Sequence, residues 1–207
     1  MPNACPVLLA SVLALSANPA PTVVCALGPE VSSYNAYEDQ PPTGDAMDLA
    51  RQASAALMPA CTPKCPRLVI NRNPTAPNVI LVFDADRAKM AYAPQFFSDV
   101  YAKYGDGAII AFIAHMLGHA MDPGAAAGWM KGNWTPELRA DAWAGCALAK
   151  TSSSVRSLEA ALTAVSRYPS ASHPDWPLRI PALRLGYTHC GGDGSQFDGR
   201  AAAVGRN

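Results

Sequence analysis

The sequence predicts an α+β domain on three observations. Short β-branched runs cluster between residues 67 and 93, helical apolar spacing dominates from Pro94 onward, and two of the helical segments carry ionisable side chains at i and i+4. Asp45 to Met58 places Ala46, Leu49, Ala50, Ala53 and Leu57 at helical spacing, which predicts a first amphipathic helix ended by Pro59 to Pro66. Arg67-Leu-Val-Ile70 and Asn78-Val-Ile-Leu-Val-Phe83 are predicted strands, with Lys89 to Ala93 a third, separated by turn residues at Asn73-Pro74, Ala76-Pro77 and Asp84 to Asp86. Gln95 to Tyr104 is a short helix stopped by Gly105. Asp106 then caps a helix running to about Met121, which Asp122-Pro-Gly124 ends. Thr135-Pro136 reads as a cap followed by proline at the first helical position, opening a helix to about Lys150. Ser154 to Arg167 forms another helix, and a last short one lies near Ile180 to Leu185.

These elements define a domain over residues 44–190. Before it come an irregular Pro-, Ser- and Asn-rich leader over 21–43 and an apolar run within 1–20; after it comes a Gly-rich tail over 191–207, expected to be flexible. The apolar run has the length of a signal peptide, and small residues near Ser16 to Ala20 suit cleavage, although no Lys or Arg precedes it. The competing reading is a buried N-terminal helix. Thr22-Val-Val-Cys25 lacks the small residue expected before a lipidated cysteine. Six cysteines in 207 residues are compatible with an oxidising compartment, so a secreted or periplasmic location is expected. Cys61 with Cys65 would close a small loop, and Cys146 with Cys190 would pin the C-terminal segment to the body.

Composition excludes several classes. Half the residues are hydrophobic and 15% are charged, as in a globular chain. Sixteen basic residues balance sixteen acidic ones, with no basic run, so no field exists to hold nucleic acid or anionic lipid. The N-terminal run is too short for a mature membrane span.

The chemistry concentrates in two helices. His115 and His119, one turn apart on a helix that is apolar nearly all round, can aim both imidazoles at one cation. A pair of core histidines hydrogen-bonded to carbonyls is the plainer alternative. Eighteen residues after His119, Glu137 and Asp141 share a face of the next helix. Two histidines and a carboxylate form a known zinc set that leaves a position for water. Glu137 is then the third ligand, and Asp141 the group that fixes a ligand histidine's tautomer; a solvated acidic face with Arg139 nearby for charge balance is the alternative.

Ala114-His-Met-Leu-Gly-His-Ala-Met-Asp122 and Glu137-Leu-Arg-Ala-Asp141 together resemble the gluzincin metallopeptidases, whose pattern is H-E-x-x-H followed by E-x-x-A-D. Ser172-His-Pro174 with Arg179-Ile180 is similar to a segment in soluble relatives of the C-a-a-X prenyl endopeptidases. The resemblance implies a zincin-like fold: a small sheet, an active-site helix beneath it and a following ligand helix. It further implies Zn2+ held by His115, His119 and Glu137, a peptide or protein substrate extended along a sheet edge, and peptide-bond hydrolysis by zinc-activated water. His173 is implied near the cleft as an oxyanion-stabilising group, with a simple turn residue before Pro174 as the alternative. One position departs from the pattern. Met116 stands where the general base belongs, and a thioether carries no titratable proton. The expectation is a metallopeptidase-like protein of impaired activity, or a catalytically inactive peptide-binding relative.

Overall fold

The computed structural model describes residues 22–27, 33–61, 67–84, 87–121, 135–151, 155–168 and 173–198. Among these, six α-helices accompany one four-stranded mixed sheet, in keeping with the α+β expectation. The chain runs β1 (Thr22–Leu27), α1 (Gly44–Leu57), β2 (Leu68–Arg72), β3 (Val79–Asp84), β4 (Arg87–Tyr92), α2 (Pro94–Tyr104), α3 (Asp106–Met121), α4 (Pro136–Thr151), α5 (Val155–Arg167) and α6 (Trp176–His189). The apolar run over 1–20, Cys5, Cys65, the 124–133 loop and residues 199–207 lie outside the described residues.

The sheet order is β1-β3-β4-β2. β3 pairs antiparallel with β1 on one side and β4 on the other, and β2 runs parallel to β4. β3 is an unbroken apolar run because both its faces are covered. Val79 and Leu81 enter the main core, whereas Ile80 and Val82 join Ala26, Ala76 and Ala91 in a smaller cluster against which Tyr34 packs. Asn78 opens β3 at φ 65°, a left-handed conformation that asparagine tolerates.

α3 is the axis of the molecule. Every residue from Gly107 to Met121 is buried, and α1, α2, α4 and α5 all pack on it. α4 and α6 approach so closely that a Cβ on Gly145 would collide with the Leu183 carbonyl, and one on Gly186 with the Ala142 carbonyl. A disulfide between Cys146 and Cys190 ties α4 to the end of α6, the pairing that the spacing made possible. Cys61 is also disulfide-bonded. Among the described residues, no helix is long and apolar enough to cross a membrane.

Three expectations need correction. The 21–43 leader is not wholly irregular: it contains β1 and a 3-10 turn at Ala36–Glu38. β1 forms because Thr22-Val-Val-Cys-Ala-Leu27 finds a partner in β3 far along the chain, a contact that local composition does not encode. The last helix spans Trp176–His189, well beyond 180–185. Pro177 lies in its first turn, where an absent N–H costs little, and Pro181 gives up a single ladder bond. The Gly-rich tail is anchored at its start. Gly194–Phe197 forms a 3-10 turn, and Phe197 is buried with its ring 5.4 Å from that of Tyr187.

Candidate metal centre

The two helices that carry the paired ionisable residues meet at a glycine. A Cβ on Gly118 of α3 would lie 2.8 Å from Ala140 Cα and 3.0 Å from Trp143 Cβ on α4. That close approach brings His115 and His119 to Glu137 and Asp141. His119 Nε2 is 3.1 Å from His115 Nε2 and 3.2 Å from Glu137 Oε2, and His115 Nε2 is 3.3 Å from the same oxygen.

Asp141 faces away from this centre and fixes it from behind. Its Oδ1 lies 3.0 Å from His115 Nδ1. An ionised carboxylate only accepts, so Nδ1 carries the hydrogen and Nε2 points at the other donors. Arg179 of α6 grips Asp141 with two bonds, Nε to Oδ2 at 2.8 Å and Nη2 to Oδ1 at 2.7 Å. Asp141 is 0% and Arg179 3% exposed, so each neutralises a charge that water cannot reach.

Two further side chains enter the group. His173, just before α6, brings Nε2 to 3.1 Å from His115 Nε2 and 3.0 Å from Glu137 Oε2, with its ring stacked on that of His115. Cys25 of β1 lies with Sγ 3.8 Å from His115 Nε2 and 3.9 Å from His173 Nε2. Among the described residues, Cys25 is the free cysteine, and it is buried. Met116 is fully buried in the hydrophobic core, with 0% exposure. A separate cleft of about 250 Å³, between α1 and α2, is lined by none of these donors.

Cys25, His115, His119 and Glu137 together can hold a metal ion. The donor spacing fits one. Tetrahedral zinc with nitrogen and oxygen ligands near 2.0–2.1 Å sets them about 3.3 Å apart, and the nitrogen and oxygen pairs above lie at 3.0 to 3.3 Å. Hydrogen bonds alone cannot account for this crowding. A ring nitrogen has one hydrogen or one lone pair, yet His115 Nε2 faces His119, His173, Glu137 and Cys25 at once. A metal ion held by Cys25, His115, His119 and Glu137 would relieve that crowding.

Without the cation, protons take its place. Burial opposes charge on His115, but its hydrogen bonds to Asp141, Cys25 and Glu137 prevail and raise its pKa well above the ordinary histidine value. His119 is raised in the same way, through Cys25 and Glu137. Burial pushes the Cys25 thiol up, yet hydrogen bonds to the three histidines bring it down to about 5. Burial likewise disfavours ionised Glu137 and Asp141. The histidines outweigh it at Glu137, and Arg179 outweighs it at Asp141, so both carboxyls titrate below their usual range.

His115, His119, Glu137 and Asp141, singled out from spacing, are thus adjacent in space, and His173 joins them. No local pattern assigns a site role to Cys25 or Arg179. A signal for Arg179 existed: a carboxylate sealed between helices needs a cation, and Arg179 lies in a segment that the resemblance already marked. Compared with protein-family models, with curated proteins and with solved structures, the chain matches none.

Proposed function

We propose that this chain is an exported, zincin-like zinc-binding protein built on the gluzincin plan, in which peptide hydrolysis has been lost. The observation that carries this reading is the over-subscribed His115 Nε2, whose neighbours have the spacing of zinc ligands. His115, His119 and Glu137 hold the ion, with His173 beside them. Zinc bound there supplies Lewis acidity toward a ligated water or carbonyl.

The chain's own groups do the rest of the work, or fail to. Arg179 holds Asp141, and Asp141 holds the His115 ring so that Nε2 faces inward. Position 116 should take a proton from the attacking water and return it to the leaving amine. Met116 can do neither, because a thioether neither gains nor releases a proton at ordinary pH. Losing such a group typically costs about a hundred- to ten-thousand-fold in rate. The reading is therefore of a pseudopeptidase that keeps the metal and lacks the proton shuttle.

Metal analysis of the purified protein tests it. We expect one zinc per chain, removed by a chelator and absent from His119→Ala, together with no hydrolysis of unstructured peptides. A well-folded chain that takes up no zinc overturns the reading. So does peptide hydrolysis by the native chain that His119→Ala abolishes, because activity would then be present without a shuttle at position 116.

A further inference from the structure

β1 departs from a regular ladder at one residue, and that residue decides where the cysteine points. Thr22 pairs with Phe83 and Val23 with Val82, but the next paired residue is Cys25, opposite Leu81, so Val24 is bulged out. In an unbroken ladder Cys25 would oppose Ile80 and share its face, the one occupied by Val82 and Ala91. The bulge shifts the phase by one residue and turns the thiol to the face of Leu81 and Leu27, toward α3. There Sγ meets His115 and His173 at 3.8 and 3.9 Å.

The strand's placement adds to this. β1 is six residues of extended chain laid antiparallel along the edge of β3, at the end of the sheet order. A peptide recognised by strand addition would lie in the same manner, held by main-chain bonds with alternate side chains reaching inward. Here that place is taken by the protein's own segment, and one side chain it sends inward is the Cys25 thiol.

We propose that Cys25 is a thiolate ligand of the metal and that β1 is the protein's own occupant of the peptide groove, closing the site to external peptide and to water. The proposal deepens the zinc-binding reading above and rests on it. Metal sites that turn over substrate keep a coordination position open, whereas structural ones are filled by protein donors. With Cys25 added to His115, His119 and Glu137, four protein donors arrive from β1, α3 and α4, and the set belongs to the second kind. Closure also gives Met116 a rationale: where no water is to be activated, a buried apolar side chain serves the core better than an ionised one.

The test uses the full chain loaded with Co2+ in place of zinc, because a cobalt–thiolate bond gives a strong near-ultraviolet charge-transfer band that nitrogen and oxygen ligands do not. We expect the native chain to bind one cobalt and show this band, and Cys25→Ser to bind cobalt without it. Azide should perturb the visible cobalt spectrum of Cys25→Ser while leaving the native spectrum unchanged. If Cys25→Ser does not fold, X-ray absorption on the zinc-loaded native chain decides alone: a sulfur scatterer at about 2.3 Å is expected. Bound metal with only nitrogen and oxygen neighbours overturns the thiolate ligand and leaves the zinc-binding reading standing. A band that persists in Cys25→Ser, or azide binding to the native chain, also overturns the proposal. A folded chain that takes up neither zinc nor cobalt overturns both readings.

Discussion

Just beyond β2, Asn73 donates from Nδ2 to the Asn35 carbonyl and to Asp39 Oδ1, each at 2.9 Å, and its Oδ1 accepts from the Thr75 amide and hydroxyl. Asp39 in turn accepts from Lys89 Nζ at 2.7 Å and from the Tyr34 hydroxyl. Between α3 and α4, by contrast, His115 Nε2 faces four heteroatoms with one hydrogen or one lone pair to offer. The first network balances donors against acceptors and ties residues 33–40 to the sheet. The second gathers more groups around one nitrogen than its hydrogen bonds can serve, as the donors of a cation site would. Burial and polarity alone do not separate a structural network from a ligand site; the donor count does.

The difference can be broken or sharpened by measurement. The largest effect is expected from Arg179→Met, which leaves Asp141 buried without its cation. We expect about 3–5 kcal/mol of lost stability in urea unfolding with chelator present, because this pair supports the site even without metal. A cost no greater than that of an exposed substitution would refute the assigned role of Arg179.

Zinc itself should come next. At free zinc a hundredfold above its Kd, the native chain should gain about 2.7 kcal/mol, visible as a rise in Tm that a chelator reverses. His119→Ala should show no such gain. A Tm equally insensitive to zinc in both chains would place the two networks in the same class.

Asn73→Ala should cost about 1–3 kcal/mol by stranding the buried partners of its amide, and the cost should be the same with zinc or chelator. A zinc-dependent cost would mean that the two networks communicate.

The smallest effect concerns acid. Burial disfavours ionised Asp39, but hydrogen bonds from Lys89 and Asn73 outweigh it and hold the carboxyl below its usual value. A depressed carboxyl stabilises the fold above the unfolded-state pKa, and this contribution is lost as pH falls through the lower folded value. Asp39→Asn should therefore be less stable than the native chain near neutrality, and the gap should narrow below about pH 4. A gap that stays constant across that range would show that the carboxyl's charge contributes nothing.

Legibility in the sequence followed the range of the interactions. α3 runs over Asp106–Met121, close to the span that the spacing predicts, with Asp106 inside the first turn, because a long buried helix advertises itself locally. His115, His119, Glu137 and Asp141 were legible because each pair obeys a helical period. β1 was not: six residues in a Pro-rich stretch become a strand only when β3 arrives, more than 50 residues later. The orientation of Cys25 depends on a bulge at Val24 that no pattern announces. His173 lies 58 residues beyond His115, outside any helical period that could pair them, so its neighbours suggest only a turn residue and the resemblance alone an oxyanion role.

The bond between Cys146 and Cys190 welds α4 to the end of α6. Glu137 and Asp141 ride on one of those helices, Arg179 on the other, and His173 immediately before it. The donors are therefore held in place by the fold itself, and a metal ion could be taken up there without reorganising the surrounding helices. A reductant would loosen that frame from outside the coordination sphere. Metal retention would then answer to the redox state of the surroundings even where Cys25 itself stays untouched.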